Sequence, residues 1–394
     1  GRRIYVPRGK LLGGSSSING TAFVRGQSHD YDTWAQMGNR GWNYRDVLPF
    51  FKRMESYEGD GDDEFRGRDG PLRVTDPDWR DPLFATVIEA AGQVGIDHNP
   101  DYNGAKQDGI AMSQATIAGG RRMSTAHCYL TPARSRSNLN IVTEAMTEAL
   151  LLDGKQCTGV RYRRGGVVHE AKAAREVVVS GGSINSPQLL ELSGIGQPEL
   201  LGRHGIAVVH ALPGVGENLR DHFAPRTRWA IGAKGYTFND RGRGLGLVGQ
   251  VLRYLTSGHG MFGMVAAPLR AFVRSRDGLE VPDLLLGWVP MLYEANPEPR
   301  ISPQSGMTCY AHPMRPESKG SIHITSSDPN NQPAIDFNFL AATVDAELTT
   351  TAVRIARSIM TAPATEPLGI SEIAPGEALT KDDEILDWVK ASAE

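Results

Sequence analysis

Apolar residues fall along this chain in short runs broken by glycine pairs, a rhythm of strands and turns with a few helical stripes. Residues 149–152, 157–163 and 167–172 read as three strands, separated by Asp153-Gly154 and Gly165-Gly166, which are hairpin turn pairs. They predict a β-meander. Residues 176–180, acidic Glu176 and then three valines, read as a fully buried strand running through Gly181-Gly182 into a helix, with Ser186 as N-cap and Pro187 at the first helical position. Upstream, Trp34, Trp42, Val47, Leu48, Phe50 and Phe51 predict short helices whose aromatic side chains are core material. Beyond Pro225, strand-like segments at 283–289 and 320–325 predict an antiparallel sheet. Leu348, Ala352, Ile355 and Ile359 mark a helical stripe over 345–360. A last helical pattern covers 382–394, with Thr380 as its cap and acids in its first turn.

Composition narrows the class. The 394 residues are 40% hydrophobic and 22% charged, as in ordinary globular proteins, and are numerous enough for two interleaved domains. A net charge of -3 leaves no field to recruit nucleic acid or an anionic membrane surface, so Arg121-Arg122 and the basic residues at 161–164 read as solvated faces. Three scattered cysteines, Cys128, Cys157 and Cys309, argue against a disulfide scaffold and for a reducing, cytoplasmic setting. The ten histidines show no metal-site spacing, so no metal is expected. No apolar run is long enough for a bilayer span, and no leader pattern is visible, which leaves peripheral membrane association open. The chain does not begin with methionine and its last helical pattern has no stop signal, so a fragment of a longer protein is expected.

The chemistry-bearing feature is the run 13–26, where small residues leave backbone N–H groups uncovered for a close-fitting ligand. A free linker would avoid the apolar residues that flank and end it, Leu11-Leu12 and Ala22-Phe23-Val24, so a ligand-facing loop is the better reading. Residues 181–196 form a second such run, and strand, glycine turn, helix places helix-terminal N–H groups beside a nucleotide. Other features are blander. Residues 244–249 match the dinucleotide fingerprint letter for letter, but no strand precedes them and no acid follows at ribose distance; they read as a glycine-rich entry to a helix. The acidic loop 58–70 lacks the twelfth-position Glu of a calcium loop and reads as solvated. Asp221-His222 reads as a structural turn, because neighbours in sequence seldom face each other.

The two runs, with Pro7 to Leu12, Tyr31 to Trp34, Tyr129 to Pro132, Pro213 to His222 and Arg315 to Gly320, resemble the glucose-methanol-choline (GMC) family of flavin oxidoreductases. The resemblance, nearest to the choline dehydrogenases among them, implies an α/β fold: a doubly wound FAD-binding domain interleaved with a substrate domain built on a six-stranded antiparallel sheet. On that basis 1–75 is part of the FAD-binding domain, 76–115 a substrate-domain or lid insertion, 116–225 FAD-binding domain with the meander, and 226–394 the substrate-binding domain. Carried over residue by residue, the family's FAD contacts fall on Leu11, Asn19, Gly20, Thr21, Ala22 and Thr147, with Gly13, Gly14 and Ser15 supporting the loop. Ile18 occupies the place where some relatives carry a flavin-linking histidine, which implies noncovalent FAD. The implied reaction oxidises an alcohol, choline or a similar primary alcohol, to an aldehyde with hydride transfer to the flavin. The resemblance puts a pyrophosphate fingerprint upstream of Gly1 and the catalytic histidine, with its histidine or asparagine partner, after Glu394. This stretch alone is therefore expected to be inactive. The electron acceptor is not specified. A hydroxynitrile lyase on the same fold and a catalytically inert fragment stay open as alternatives.

Overall fold

The computed structural model describes residues 2–76, 81–294 and 300–393. Gly1 and Glu394, the end of the last helical pattern, lie outside them. The chain divides into two compact units, one of residues 1–136, 223–315 and 346–394, the other of residues 137–222 and 316–345.

The first unit is organised by a six-stranded sheet in the order Ile370–Ala374, Arg226–Ile231, Gly306–Pro313, Leu284–Val289, Leu269–Val273, Gly109–Met112, with every neighbouring pair antiparallel. Of the two segments expected to build an antiparallel sheet after Pro225, 283–289 lies in this one and 320–325 does not, and Gly109–Met112 joins it from upstream. Its inner strands Gly306–Pro313, Leu284–Val289 and Leu269–Val273 are buried on both faces, which is why 284–286 read as an unbroken apolar run rather than an alternation. Leu269, Ala271, Leu284, Leu286 and Trp288 point to one face, against Leu83, Phe84 and Val87 of the helix Pro82–Gln93 and Ala352, Ala356 and Ile359 of the helix Thr343–Met360. The stripe at 345–360 is thus a core-facing stripe. Asp81 caps Pro82–Gln93 by accepting from the Leu83 amide at 3.0 Å. Phe272, Ala111 and Leu285 point to the other face and meet Tyr102.

In the second unit the meander forms as expected, from Met146–Asp153, Gln156–Arg164 and Val167–Lys172. Gly165 and Gly166 turn it with φ of 55° and 82°, the pair of positive angles that a two-residue hairpin demands. A three-stranded sheet pairs Glu217–Leu219, Gly320–His323 and Ala334–Asp336. At Gly320 a Cβ would run into the Asp336 carbonyl. Gly320→Ala is therefore expected to destabilise this unit by about 1–3 kcal/mol in urea denaturation.

Four local readings are corrected. Residues 176–180 form no strand and are largely exposed, Val178 at 76%; among the described residues no strand lies beside them to take their ladder hydrogen bonds. The helix begins at Gly182 with Gly181 as cap, so Pro187 sits inside it; the positive φ of Gly182 lets the chain turn into the helix one turn earlier than Ser186. The last helix runs from Asp382 to Ser392, and Lys381 holds the cap position, with Glu384 accepting from both the Thr380 and Lys381 amides at 3.3 Å. None of the aromatic residues in the helices Ser28–Gln36 and Tyr44–Met54 is buried; only the aliphatic Val47 is. Trp34, Trp42 and Phe50 are exposed, and Trp34 stacks edge-on against Tyr31 and Trp42, covering part of its surface without entering the core.

Candidate functional site

The small-residue run is a shaped loop, pinned from behind. Gly13, at φ 87°, starts a single 3-10 turn over Gly14–Ser17. A Cβ on Gly13 would come within 2.5 Å of Ser17 Oγ, so only glycine closes this turn. Ser16 Oγ donates to the Gly13 carbonyl at 2.6 Å and accepts from the Thr125 amide at 3.0 Å; Ser17 Oγ donates to the Leu12 carbonyl at 2.9 Å. Arg122 Nη1 donates to the Asn19 carbonyl and to Asn19 Oδ1, both at 2.7 Å, and to the Ser16 carbonyl at 3.3 Å. The Gly20 carbonyl accepts from the Ala266 amide at 3.1 Å. Thr21 takes a left-handed φ of 60° that its amide stabilises by donating to Asn19 Oδ1 at 3.1 Å. Its carbonyl accepts from the Thr116 amide at 2.8 Å, and Ala22 pairs with Ala115.

These bonds leave the other side of the loop bare. Leu11, Ser15, Ile18, Asn19 and Gly20 are exposed, and a Cβ on Gly14 would meet nothing within 4 Å. A surface of two aliphatic side chains with small residues and backbone groups between them fits a flat heteroaromatic ring bearing polar edges. Leu11, Gly13, Gly14, Ser15, Asn19, Gly20, Thr21 and Ala22 are thus one continuous element. Thr147 belongs to the other unit, exposed on the first meander strand opposite Tyr162. A cavity of about 1320 Å³ in the first unit reaches Arg25, Gly26 and Gln27 but none of the residues from Leu11 to Ala22.

Arg122 was read as part of a solvated basic pair, and the structure corrects this: its neighbour Arg121 is exposed while Arg122 holds the loop. No spacing reveals it, because donor and acceptor are 103 residues apart. A second group invisible in sequence secures the end of the run. Arg25 and Arg66, both buried, share fully buried Glu55, at 2.7 Å from Arg25 Nη2 and 2.8 Å from Arg66 Nε. Arg66 also pairs with Asp101 and Gln114, and its guanidinium lies 3.4 Å from the centre of the Tyr57 ring. The loop 58–70, expected to be solvated, is therefore anchored by a buried arginine. Burial holds the Arg25 guanidinium below its ordinary value, against the attraction of Glu55. Asn103 Oδ1 accepts from the Arg25 amide at 2.7 Å, fixing the backbone just past the loop.

Tyr102 closes the same layer. It is 1% exposed, donates to the Phe23 carbonyl at 3.1 Å and accepts from the Gln114 amide at 2.6 Å. Burial pushes its phenol up to about 12 from 10.0. The fold keeps its proton where the unfolded chain loses it, so stability from this group is intact below pH 10 and falls by about 1.4 kcal/mol per unit as pH rises from 10 towards 12. Tyr102→Phe should flatten that slope in denaturation curves recorded across this range.

In the second unit, the run 181–196 supplies a scaffold as well as an exposed helix start. Fully buried Glu191 accepts from the Ile324 amide at 2.8 Å and meets His323 Nδ1 at 2.7 Å. Gly194, at φ 81°, lets the chain turn into the short pairing of Ile195–Gly196 with His210–Ala211. Asp221 accepts from the His222 amide at 2.8 Å, in keeping with a turn role. The run 244–249 opens the helix Gly244–Ser257 after a short helix and no strand, so the fingerprint there is a coincidence of spelling.

Residues 1–224 match the N-terminal family model of the GMC oxidoreductases and residues 316–394 the C-terminal one. The chain belongs to the GMC oxidoreductase family. It is an enzyme of the oxidoreductase class, with an α/β fold. Oxygen-dependent choline dehydrogenases are among its relatives: that of Photobacterium profundum is 38% identical over 398 residues, spanning all of this chain and 69% of that protein. That of Chromohalobacter salexigens is 39% identical over 411 residues, spanning all of this chain and 70% of that protein. Among solved structures, pyridoxine 4-oxidase from Mesorbium loti superposes with a TM-score of 0.85 at 25% identity, covering 98% of this chain and 72% of that one. An FAD-dependent oxidoreductase from Chaetomium thermophilum gives 0.88 at 25% identity, covering 99% of this chain and 75% of that one.

Proposed function

We propose that this protein oxidises a primary alcohol to an aldehyde, using a noncovalently held FAD. The observation that carries the reading is the loop of Leu11 to Ala22, tied down on one side by Arg122, Thr125, Thr116 and Ala266 and presenting small residues on the other. Bound FAD supplies the hydride acceptor at its ring N5. Asn19, Gly20, Thr21 and Ala22 hold and orient the ring system, Leu11 packs on it, and Gly13, Gly14 and Ser15 keep the turn that shapes the loop. Thr147, on the meander strand of the other unit, is the remaining residue for which the resemblance implies an FAD contact. A loop already hydrogen-bonded into shape loses little entropy on binding, which favours a cofactor held without a covalent link. Ile18, with no nucleophilic atom, fits such a cofactor. The relatives named choline dehydrogenases make choline the first alcohol to try, beside aliphatic and aromatic primary alcohols. Free cysteines at 128, 157 and 309 suit a reducing, cytoplasmic setting.

The test is anaerobic. Protein purified from the complete reading frame and supplied with FAD should show the flavin's visible absorbance, lose it when the right alcohol is added, and release all its flavin into the supernatant on acid precipitation. Absence of a flavin band, or a band that no alcohol in the panel bleaches, overturns the reading. Flavin that stays with the precipitate overturns the noncovalent part.

A further inference from the structure

Arg270 is a buried charge without a counter-charge. It is 4% exposed on the strand Leu269–Val273, where its Nε donates to Ser113 Oγ at 2.8 Å and its guanidinium lies 5.9 Å from the centre of the Tyr102 ring. Among the described residues no carboxylate pairs with it, and Nη1 and Nη2 have no hydrogen-bond partner. The buried arginines Arg25 and Arg66 share Glu55; Arg270 has no such acid. The fully buried nitrogens that lack a hydrogen bond belong to Arg25 and Trp288, so the two ends of the Arg270 fork keep contact with open space. A guanidinium withdrawn from water with its fork unsatisfied is costly, and an anion arriving from outside offsets that cost.

The sheet register sets Ala111, Arg270, Gly287, Tyr310 and Arg226 in one row across five strands, with no carboxylate among them. A Cβ on Gly287 would come within 2.3 Å of Tyr310 Cζ, so the phenol ring lies over that glycine, on the side of Arg270. Burial pushes the Tyr310 phenol up, against the pull of Arg270 and Arg226, and its hydroxyl keeps its proton as a donor. The row is tied to the cofactor-facing loop. Ser113 Oγ donates to the Ala267 carbonyl at 2.6 Å, and the Ala266 amide donates to the Gly20 carbonyl at 3.1 Å. Arg270 stands four residues after Ala266, at most about 14 Å of chain from the residue that holds Gly20. Resting on the alcohol-oxidation reading above, we propose that the alcohol carries a carboxylate, bound by the open fork of Arg270 and the hydroxyl of Tyr310. The planar fork of a guanidinium matches the two oxygens of a carboxylate. A trimethylammonium group in the same place would meet a like charge, so choline is selected against.

Protein from the complete reading frame, loaded with FAD, is mixed anaerobically with γ-hydroxybutyrate, δ-hydroxyvalerate, n-butanol or choline, and the bleaching of the flavin is followed. The second-order rate for the better hydroxy acid is expected to exceed those for n-butanol and choline about a hundredfold. Arg270→Gln should bring that ratio near one, and Tyr310→Phe, which removes a single hydroxyl, should lower it several-fold. Circular dichroism and the unfolding midpoint check that both variants fold. n-Butanol or choline oxidised as fast as the hydroxy acids, or a ratio unmoved in both variants, overturns the proposal and leaves alcohol oxidation standing. Binding is read apart from turnover: butyrate, which has no hydroxyl to oxidise, should bind in titration calorimetry and lose its affinity in Arg270→Gln. If no alcohol bleaches the flavin, the oxidation reading falls, and the same titration decides the carboxylate site, which absent or variant-independent binding overturns.

Discussion

Glu55→Ala is expected to destabilise the protein by about 3–5 kcal/mol, the largest effect of any single substitution considered. The carboxylate is completely buried and is the shared partner of Arg25, Arg66 and the Gly67 amide, which donates to it at 3.0 Å. Without it two guanidinium groups are left close together in a medium that solvates charge poorly, each already opposed by burial. Glu55→Gln keeps one acceptor oxygen and should fall between the two. Buried Trp229 and Trp288 in the same unit make fluorescence-detected urea unfolding a direct readout. A midpoint for Glu55→Ala within about 0.5 kcal/mol of the parent would show that the charges find other partners.

Arg122→Ala is expected to weaken FAD binding about 10- to 100-fold with little change in the unfolding midpoint of the apoprotein. Its guanidinium closes three hydrogen bonds on Ser16 and Asn19, and bonds to a charged donor contribute about 1.5–3 kcal/mol each when buried and less here, where the site is partly exposed. Once released, the Asn19-Gly20 segment must be ordered at the expense of binding energy. Arg122 touches loop rather than substrate, so FAD-saturated variant should keep its kcat. Arg121→Ala is the control and should match the parent in FAD titration. Equal losses in both variants would mean that general charge, not loop positioning, attracts the cofactor.

Some of this could be read without coordinates. The meander was legible because Gly165-Gly166 can turn a hairpin and the residues on either side favour strands. The stripe at 345–360 was legible from period alone. Residues 176–180 misled because a run of valines states a preference for a ladder but cannot supply the neighbouring strand. Trp34 and Trp42 misled because aromatic character says what a side chain would gain from burial, and not whether the fold offers it a place.

Order along the chain determined much of this protein's local geometry and its family, since backbone angles and apolar period depend on residues a few positions apart. Only the tertiary structure decided that Arg122 holds Asn19, that Glu55 serves two arginines, and that the helix Gly244–Ser257 turns its leucines outward. Charges and faces separated by tens of residues meet according to the path of the whole chain, and that path leaves no mark in the spacing of either partner.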